Sequence, residues 1–452
     1  MIRALFFIAL LVLLSVAAVW IAERPGTVDI RWQDYRVESS VAVLALAAAA
    51  AAVALAGFYI LLRWLWVGPR RLATARAAGR RRRGYRALTR GLVAAAAGDG
   101  DGARRAARDA EGLLGEPPLT MLLTAQAAQL DGDDAGTEAA FRMMLDDPET
   151  EFLGLRGLLV QAMRADDKDT ALALARRAFE INPRAGWVLT HLADLEIAAG
   201  DWGAAERRLA AAVAGGTLDP GAGQRRRGAL LYQQALAAES EGRAGHALVL
   251  ARQAVDRAPG LVPAWLLAAR LLTSVGKRRQ AQNLIRRGWA QQAHPDLAAA
   301  LLEASGASAP LDRVKALEPL IAARPAAPEG HLAVAEAALE AELWGPARDH
   351  LDRAAATGIT VRLCTMMARL EEAEDATGAG AGQWLRRATG AAPDPTWVCT
   401  ACGGVSAAWR ADCPHCAAFD GLDWRVPAGP AMAPGPSPAA PIPAPSAPGK
   451  TL

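Results

Sequence analysis

Residues 152–219 read FLGLRGLLVQAMRADDKDTALALARRAFEINPRA and then GWVLTHLADLEIAAGDWGAAERRLAAAVAGGTLD. These are two lines of 34 residues with a turn residue, Asp166 and then Gly200, at the fifteenth place of each. Upstream the same place is taken by Gly98 and Gly132, again 34 residues apart. After a short insertion around Gly215–Gly223 the register resumes at Gly242 and Gly276, still 34 apart. A fixed period of this length marks a chain built from stacked supersecondary units, none of which buries its apolar face alone.

The place five residues after each turn is Ala103, Thr137, Ala171, Ala205, Ala247 or Ala281, and in four of these units alanine recurs seven residues later. Small side chains at that spacing let a second helix lie close against the first. Asn182-Pro183 and Ala258-Pro259 end second helices, because proline cannot continue them. Trp187 and Trp265 near unit starts, and Phe141 in a second helix, complete a pattern that resembles the tetratricopeptide repeat from Gly84 to about Ala356. A degenerate unit starts near His294 and ends at Arg324-Pro325, the pattern recovers at Leu343-Trp344-Gly345-Pro346-Ala347, and a weaker helical pair runs from Ile359 to Thr389. The expected array therefore occupies residues 84–390. A concave surface lined by first helices would take an extended peptide or another protein.

Composition agrees with an all-α chain. At 452 residues it exceeds one ordinary compact core, and it is rich in Ala, Leu and Arg with only 7 Phe and 4 Tyr. The net charge of +3 implies no acidic partner for the whole molecule. Charge is instead concentrated: ten arginines and no acid lie between Arg63 and Arg90.

That basic run follows two apolar stretches, Ala4–Ala22 and Val41–Leu62, each about the 20 residues a helix needs to cross a bilayer. Trp20, Tyr59, Trp64 and Trp66 fall where interfacial aromatics are favoured. Read as a signal peptide, the first stretch offers Arg3 and a small-residue site at Ser15-Val16-Ala17; read with the second span 18 residues later, it forms a helical hairpin. The loop Glu23–Ser40 carries four acids and three arginines, so retention of the arginine run on the inner side places both chain ends and the large domain in the cytoplasm. Within the loop, Val28, Ile30 and Trp32 alternate with Asp29 and Arg31, which fits either a small β-hairpin or a plain connection. Residues 1–67 thus form the membrane region and 68–83 a basic juxtamembrane segment. Its position, with Arg80–Arg83 just past a span, favours anionic lipid over nucleic acid as the partner.

Near the other end, Cys399-Thr400-Ala401-Cys402 and Cys413-Pro414-His415-Cys416 are two C-x2-C pairs separated by ten residues. Such pairs bring four thiolates to one tetrahedral ion, with Gly403 permitting the first tight turn. With every ligand supplied by protein the site is closed and structural. Zinc is the default metal and rubredoxin-like iron the alternative. The expected ribbon spans 396–426 and draws its small core from Trp397, Trp409, Phe419 and Trp424. Metal loss is expected to unfold it and leave the helices intact. Cys413-Pro414 also matches the short Cys-Pro motif of some haem sensors, although proline there is common in zinc ribbons. His415 is expected to stand outside the ligand set. The fifth cysteine, Cys364, reads as a small core residue. The segment 427–452, with nine prolines, reads as disordered.

No catalytic constellation is present: the histidines are scattered, and neither a G-x-S-x-G elbow nor a P-loop occurs. Gly378–Gly382 is glycine-rich but has no preceding strand, and reads as a loop. A non-enzymatic scaffold follows.

The spans, the loop Gly26-Thr27-Val28-Asp29-Ile30-Arg31-Trp32-Gln33-Asp34-Tyr35-Arg36-Val37-Glu38-Ser39-Ser40, the basic exit and the repeats together resemble the proteobacterial HemY family. The ending from Cys413 to Arg425 is similar to members with an added zinc ribbon. The resemblance implies a bacterial inner-membrane, two-pass protein that organises or regulates late haem and porphyrin steps, with haem-pathway enzymes as partners. Lipopolysaccharide-assembly regulators, which present a membrane substrate to a protease, share the repeats and the four-cysteine module and usually have one span. Direct carriage of haem or porphyrin by the repeats is a third reading.

Overall fold

The computed structural model describes residues 26–32, 35–114, 117–374 and 378–428, with scattered positions between 12 and 23. The expected first span lies for the most part outside the described residues, and the proline-rich tail beyond residue 428 lies outside them altogether. The fold is all-α of the tetratricopeptide type, with five short strands among the described residues. It divides into two compact units, Met1–Thr150 and Glu151–Leu452.

In the first unit the loop is an antiparallel hairpin of β1 (Thr27–Trp32) and β2 (Tyr35–Ser40), with Thr27 opposite Ser40 and Trp32 opposite Tyr35. Ser40 ends the strand and caps a helix: its Oγ accepts the Val43 N–H at 3.4 Å. That helix runs unbroken from Val41 to Ala96. Its first part, Val41–Trp64, has a mean hydropathy of 2.5 and no buried face. Twenty-four residues give about 36 Å of helix, enough to cross a hydrocarbon core of about 30 Å. The basic stretch expected as a separate segment is the middle of this same helix, since alanine and arginine sustain helix as well as the apolar run does. Its last turns are already the first helix of a repeat. Ala87 and Leu88 are buried against the helix Gly100–Leu114, and Gly91 lies so close to Leu123 that a Cβ there would come within 2.3 Å of it.

The second unit stacks helical pairs: Glu151–Arg164 with Lys168–Ile181, Gly186–Ala198 with Trp202–Ala214, Pro220–Ser240 with Ala244–Arg257, and Val262–Ser274 with Arg278–Gln291. Pro295–Ser305 with Pro310–Ala323, Pro328–Glu340 with Trp344–Ala355, and Val361–Glu374 with Ala379–Ala388 complete it. The alanines five residues past each turn are fully buried, and Thr137 nearly so. In the unit where glycine replaces the second alanine, Gly288 leaves room for the Trp265 ring, whose nearest atom would lie 2.8 Å from an added Cβ. Cys364 is buried as expected. The glycine-rich stretch is not a loop: Gly378, at φ +68°, caps the helix Ala379–Ala388, which begins inside it. The insertion near Gly215–Gly223 is absorbed by a first helix of 21 residues, Pro220–Ser240, capped by Asp219.

Each register position is a left-handed turn, with φ of +80° at Gly98, +69° at Gly132, +55° at Asp166, +76° at Gly200, +78° at Gly242 and +77° at Gly276. The next residue caps the second helix in four of these turns, where the side chains of Asp99, Asp133, Asp167 and Asp201 accept N–H groups three residues on. Nothing lies within 4 Å of a Cβ built on Gly200, so a substitution there costs backbone conformation alone. Gly200→Val should destabilise the unit by about 1–2 kcal/mol in urea unfolding followed by circular dichroism, whereas Asp166→Gly should match or exceed the parent. Equal stability of the valine variant would remove the left-handed turn as the reason for the register.

Candidate metal centre and its docking face

Three short strands carry the cysteines. β3 (Thr396–Cys399) lies between β4 (Val405–Ser406) and β5 (Leu422–Arg425), antiparallel to both. Cys399 ends β3, and Gly403 turns the chain at φ +73°, its N–H returning to the Cys399 carbonyl at 2.9 Å. The second knuckle repeats the device, with the Ala417 N–H donating to the Cys413 carbonyl at 2.8 Å. Cys399, Cys402, Cys413 and Cys416 place all four Sγ atoms within 4.8 Å of one another.

Two of the sulfur–sulfur separations are 3.7 Å (Cys399–Cys416) and 3.8 Å (Cys402–Cys413). A tetrahedral ion with metal–sulfur bonds of about 2.3 Å needs edges of about 3.8 Å, so the donor set fits such an ion. Backbone N–H groups of Gly404 and His415 point at the sulfurs of Cys402 and Cys413, each at 3.4 Å. Burial pushes the Cys399 thiol up, but backbone N–H groups of Cys402 and Ala401 and the neighbouring thiols outweigh it and bring it to about 7. At Cys416 the Ala418 N–H pulls down, while burial and the other three thiols carry it to about 12. His415 turns away, its Nε2 3.0 Å from the Val405 carbonyl. Cys413 is buried with its sulfur inside the cluster, so the Cys413-Pro414 pair presents no exposed thiol to haem.

Trp397 and Trp424 meet edge-on within the ribbon, ring centroids 5.3 Å apart, but its aromatic residues also reach the repeats. Phe419 stacks on Trp202, ring centroids 6.3 Å apart, and Trp409 meets Tyr232 edge-on at 5.4 Å. Trp397 and Trp424 close on His294, with centroids at 5.4 and 4.0 Å. Trp397, Cys399, Cys413 and Leu422 accordingly belong to the same buried cluster as the helices from Leu231 to Leu370. The polar latch is Arg225. Its Nε donates to Asp420 Oδ2 at 3.1 Å, one Nη to the Asp420 carbonyl at 2.9 Å, and the other reaches Asp423 Oδ1 at 3.2 Å. Asp420 is buried, and burial pushes its carboxyl up against the pull of Arg225.

Residues 26–132 match the family described as HemY protein N-terminus. The probable magnetosome protein Mms48 of Magnetospirillum gryphiswaldense is 32% identical over 425 residues, covering 90% of each chain. The chain belongs to the HemY family. Among solved structures it is similar to Naa15/Naa10 bound to HypK-THB, at 14% identity and a TM-score of 0.36 over 68% of this chain and 58% of that one. It is also similar to the TPR2AB-domain:pHSP90 complex of yeast Sti1, at 14% identity and a TM-score of 0.27 over 68% and 98%.

In this HemY-family chain the cysteines lie outside the matched N-terminal region, and sequence reasoning found them by spacing alone. It missed Arg225, Tyr232 and His294. The signal available for the first was the break in register beside Arg225-Arg226-Arg227: the insertion lengthens the helix that carries the latch.

His294 makes the docking sensitive to acid. It is 1% exposed, its Nδ1 accepts the Asp296 N–H at 3.2 Å, and its Nε2 has no hydrogen-bond partner. Burial pushes the imidazole down to about 4, with Asp296 pulling weakly the other way. Unfolded chains bind a proton there near pH 6.5 and the folded one near 4. The stability present above pH 6.5 is therefore lost progressively as pH falls toward 4, by at most about 3 kcal/mol. Acid titration of tryptophan fluorescence should show this loss in the parent and a shallower one in His294→Phe. Thiolate protonation is common to both proteins, so superimposable titrations would remove His294 as the cause.

Proposed function

We propose that the chain is a membrane-anchored adaptor that holds other proteins against its repeat face at the cytoplasmic side of a bacterial inner membrane. The observation that carries this reading is the single helix Val41–Ala96, which leaves an apolar, unburied span and becomes part of the first repeat pair without a joint. Two spans, with the arginine run inside and able to meet anionic lipid, fit the charge pattern of the sequence. Catalysis is not part of the reading.

The four cysteines hold a structural zinc ion that shapes the ribbon, with iron as the competing occupant. Mass spectrometry of the purified protein should find one zinc per chain, and Cys399→Ser or Cys416→Ser should lose it. Iron in its place would overturn the assignment, and a full metal content in either variant would remove the cluster as the site.

Family membership supports late haem and porphyrin synthesis as the setting, with its enzymes as the bound partners. A second setting, assembly of a membrane-bound compartment, is supported by the 32% identity to a probable magnetosome protein. Crosslinking in intact cells followed by capture of the full chain separates them. The first setting expects late porphyrin enzymes to be enriched over a control membrane protein, and the second expects structural proteins of the compartment. Recovery of a membrane protease with its lipid-A-pathway substrate would overturn both in favour of a proteolytic adaptor.

A further inference from the structure

The repeat face under the ribbon meets it through charged and aromatic side chains. Along one strand and the turn before it, Phe419-Asp420-Gly421-Leu422-Asp423-Trp424 places two acids between two aromatic rings. Opposite them the array offers Arg225 to both acids, Trp202 to Phe419, and His294 to Trp424. Arginine and aromatic anchors of this kind dominate the energetics of protein interfaces. The groups that receive the ribbon sit on separate helical pairs, and Arg225 stands on the turns by which Pro220–Ser240 departs from the 34-residue register.

The contact is not a closed core throughout. A cleft of about 550 Å³ remains between ribbon and array, with Trp397, Trp409 and Trp424 on one side and Gln224, Arg257 and Pro259 on the other. The seat of the ribbon thus combines buried residues, Trp397 and Leu422, with ion pairs, aromatic edges and open volume at its margin.

We propose that this face, centred on Arg225, Trp202 and His294, is an interaction surface for a partner protein segment with the ribbon's own chemistry. That segment carries two acidic residues flanked by aromatics, and the docked ribbon is its intramolecular competitor. Tethering sets the competition. Residues 389–395 are all that separate the last helix from β3, and they are pinned to Val361–Glu374, where the Val361 N–H donates to the Ala392 carbonyl at 3.2 Å and the Arg362 N–H to Asp394 Oδ2 at 2.9 Å. A ribbon held this near acts at an effective concentration of the order of millimolar, so a free segment binds weakly until the ribbon lets go.

The test uses the full chain in nanodiscs and a fluorescein-labelled peptide copying Ala417–Trp424 as the probe. In the variant Asp420→Arg the latch opposes Arg225 with a like charge while all four cysteines remain, and hydrogen exchange in Trp202–Leu209 reports whether the ribbon has left. Fluorescence anisotropy should show the probe binding at least tenfold more tightly to Asp420→Arg than to the parent. A probe with both aspartates replaced by lysine should bind neither protein. The triple variant Arg225→Glu with Asp420→Arg and Asp423→Arg, which reverses both ion pairs, should close the face again and lose the probe. Equal probe affinity for parent and Asp420→Arg would overturn the proposal. So would a ribbon that stays docked in Asp420→Arg, because the ion pair would then not be what the face reads, and so would undiminished binding of the lysine probe.

Discussion

Two helices joined by a tight turn can approach closely only if one of them carries small residues along the seam, and in this chain that seam is alanine. Ala103 and Ala110, Ala171 and Ala178, Ala205 and Ala212, and Ala247 and Ala254 are buried almost completely. Each methyl group contributes little by itself, about 0.8 kcal/mol per buried carbon at most. What the seam supplies is distance: it draws the pair together so that larger residues such as Leu192, Leu209, Trp265 and Trp289 can be enclosed by the next pair. The left-handed turn fixes the phase of the seam and the seam fixes the stacking. The membrane helix and the ribbon are then attached to helices that could not exist alone.

Much of this was legible because it is local. Turn residues at a fixed interval, alanines at a fixed offset from them and paired cysteines with two residues between them each state a geometric requirement within a few residues. The continuity of membrane span and repeat within one helix was not legible for a related reason. Arg70, Arg71 and Arg76 change the polarity of the sequence but not its helix propensity, so composition shifted where the backbone did not. At Gly378–Gly382 the error ran the other way: a run that looks like a loop begins a helix once Gly378 has supplied the left-handed cap.

The docking of the ribbon was beyond sequence reasoning because it joins residues 195 positions apart, Arg225 and Asp420. Arg225 beside two more arginines names no partner by itself, and aromatics in a small cysteine module read as its private core. Each reading is sound for its own segment. The pairing is visible only when both are placed together, and then the insertion that had looked like an interruption becomes the reason Arg225 extends far enough to be a latch.

The cysteine knuckle and the docking also turn out to be one constraint. The stretch Cys413–Asp420 holds two of the four thiols at one end and the docking groups Phe419 and Asp420 at the other. Between them Ala417 and Asp420 take left-handed conformations, at φ +56° and +54°, that cost a non-glycine residue of the order of 1–2 kcal/mol each. Such strain persists only where the surroundings over-determine it. On one side the Cys413 carbonyl accepts the Ala417 N–H at 2.8 Å, and on the other the Ala411 carbonyl accepts the Asp420 N–H at 2.7 Å while Arg225 holds the side chain. Opening of the four-cysteine knuckle would free the first restraint, and loss of Arg225 the second. Either would let the loop relax and withdraw Phe419 from Trp202. The ribbon is therefore poorly described as an independent appendage: the bonds that close its knuckle and the contacts that seat it on the repeats hold the same eight residues in a shape neither set would hold alone.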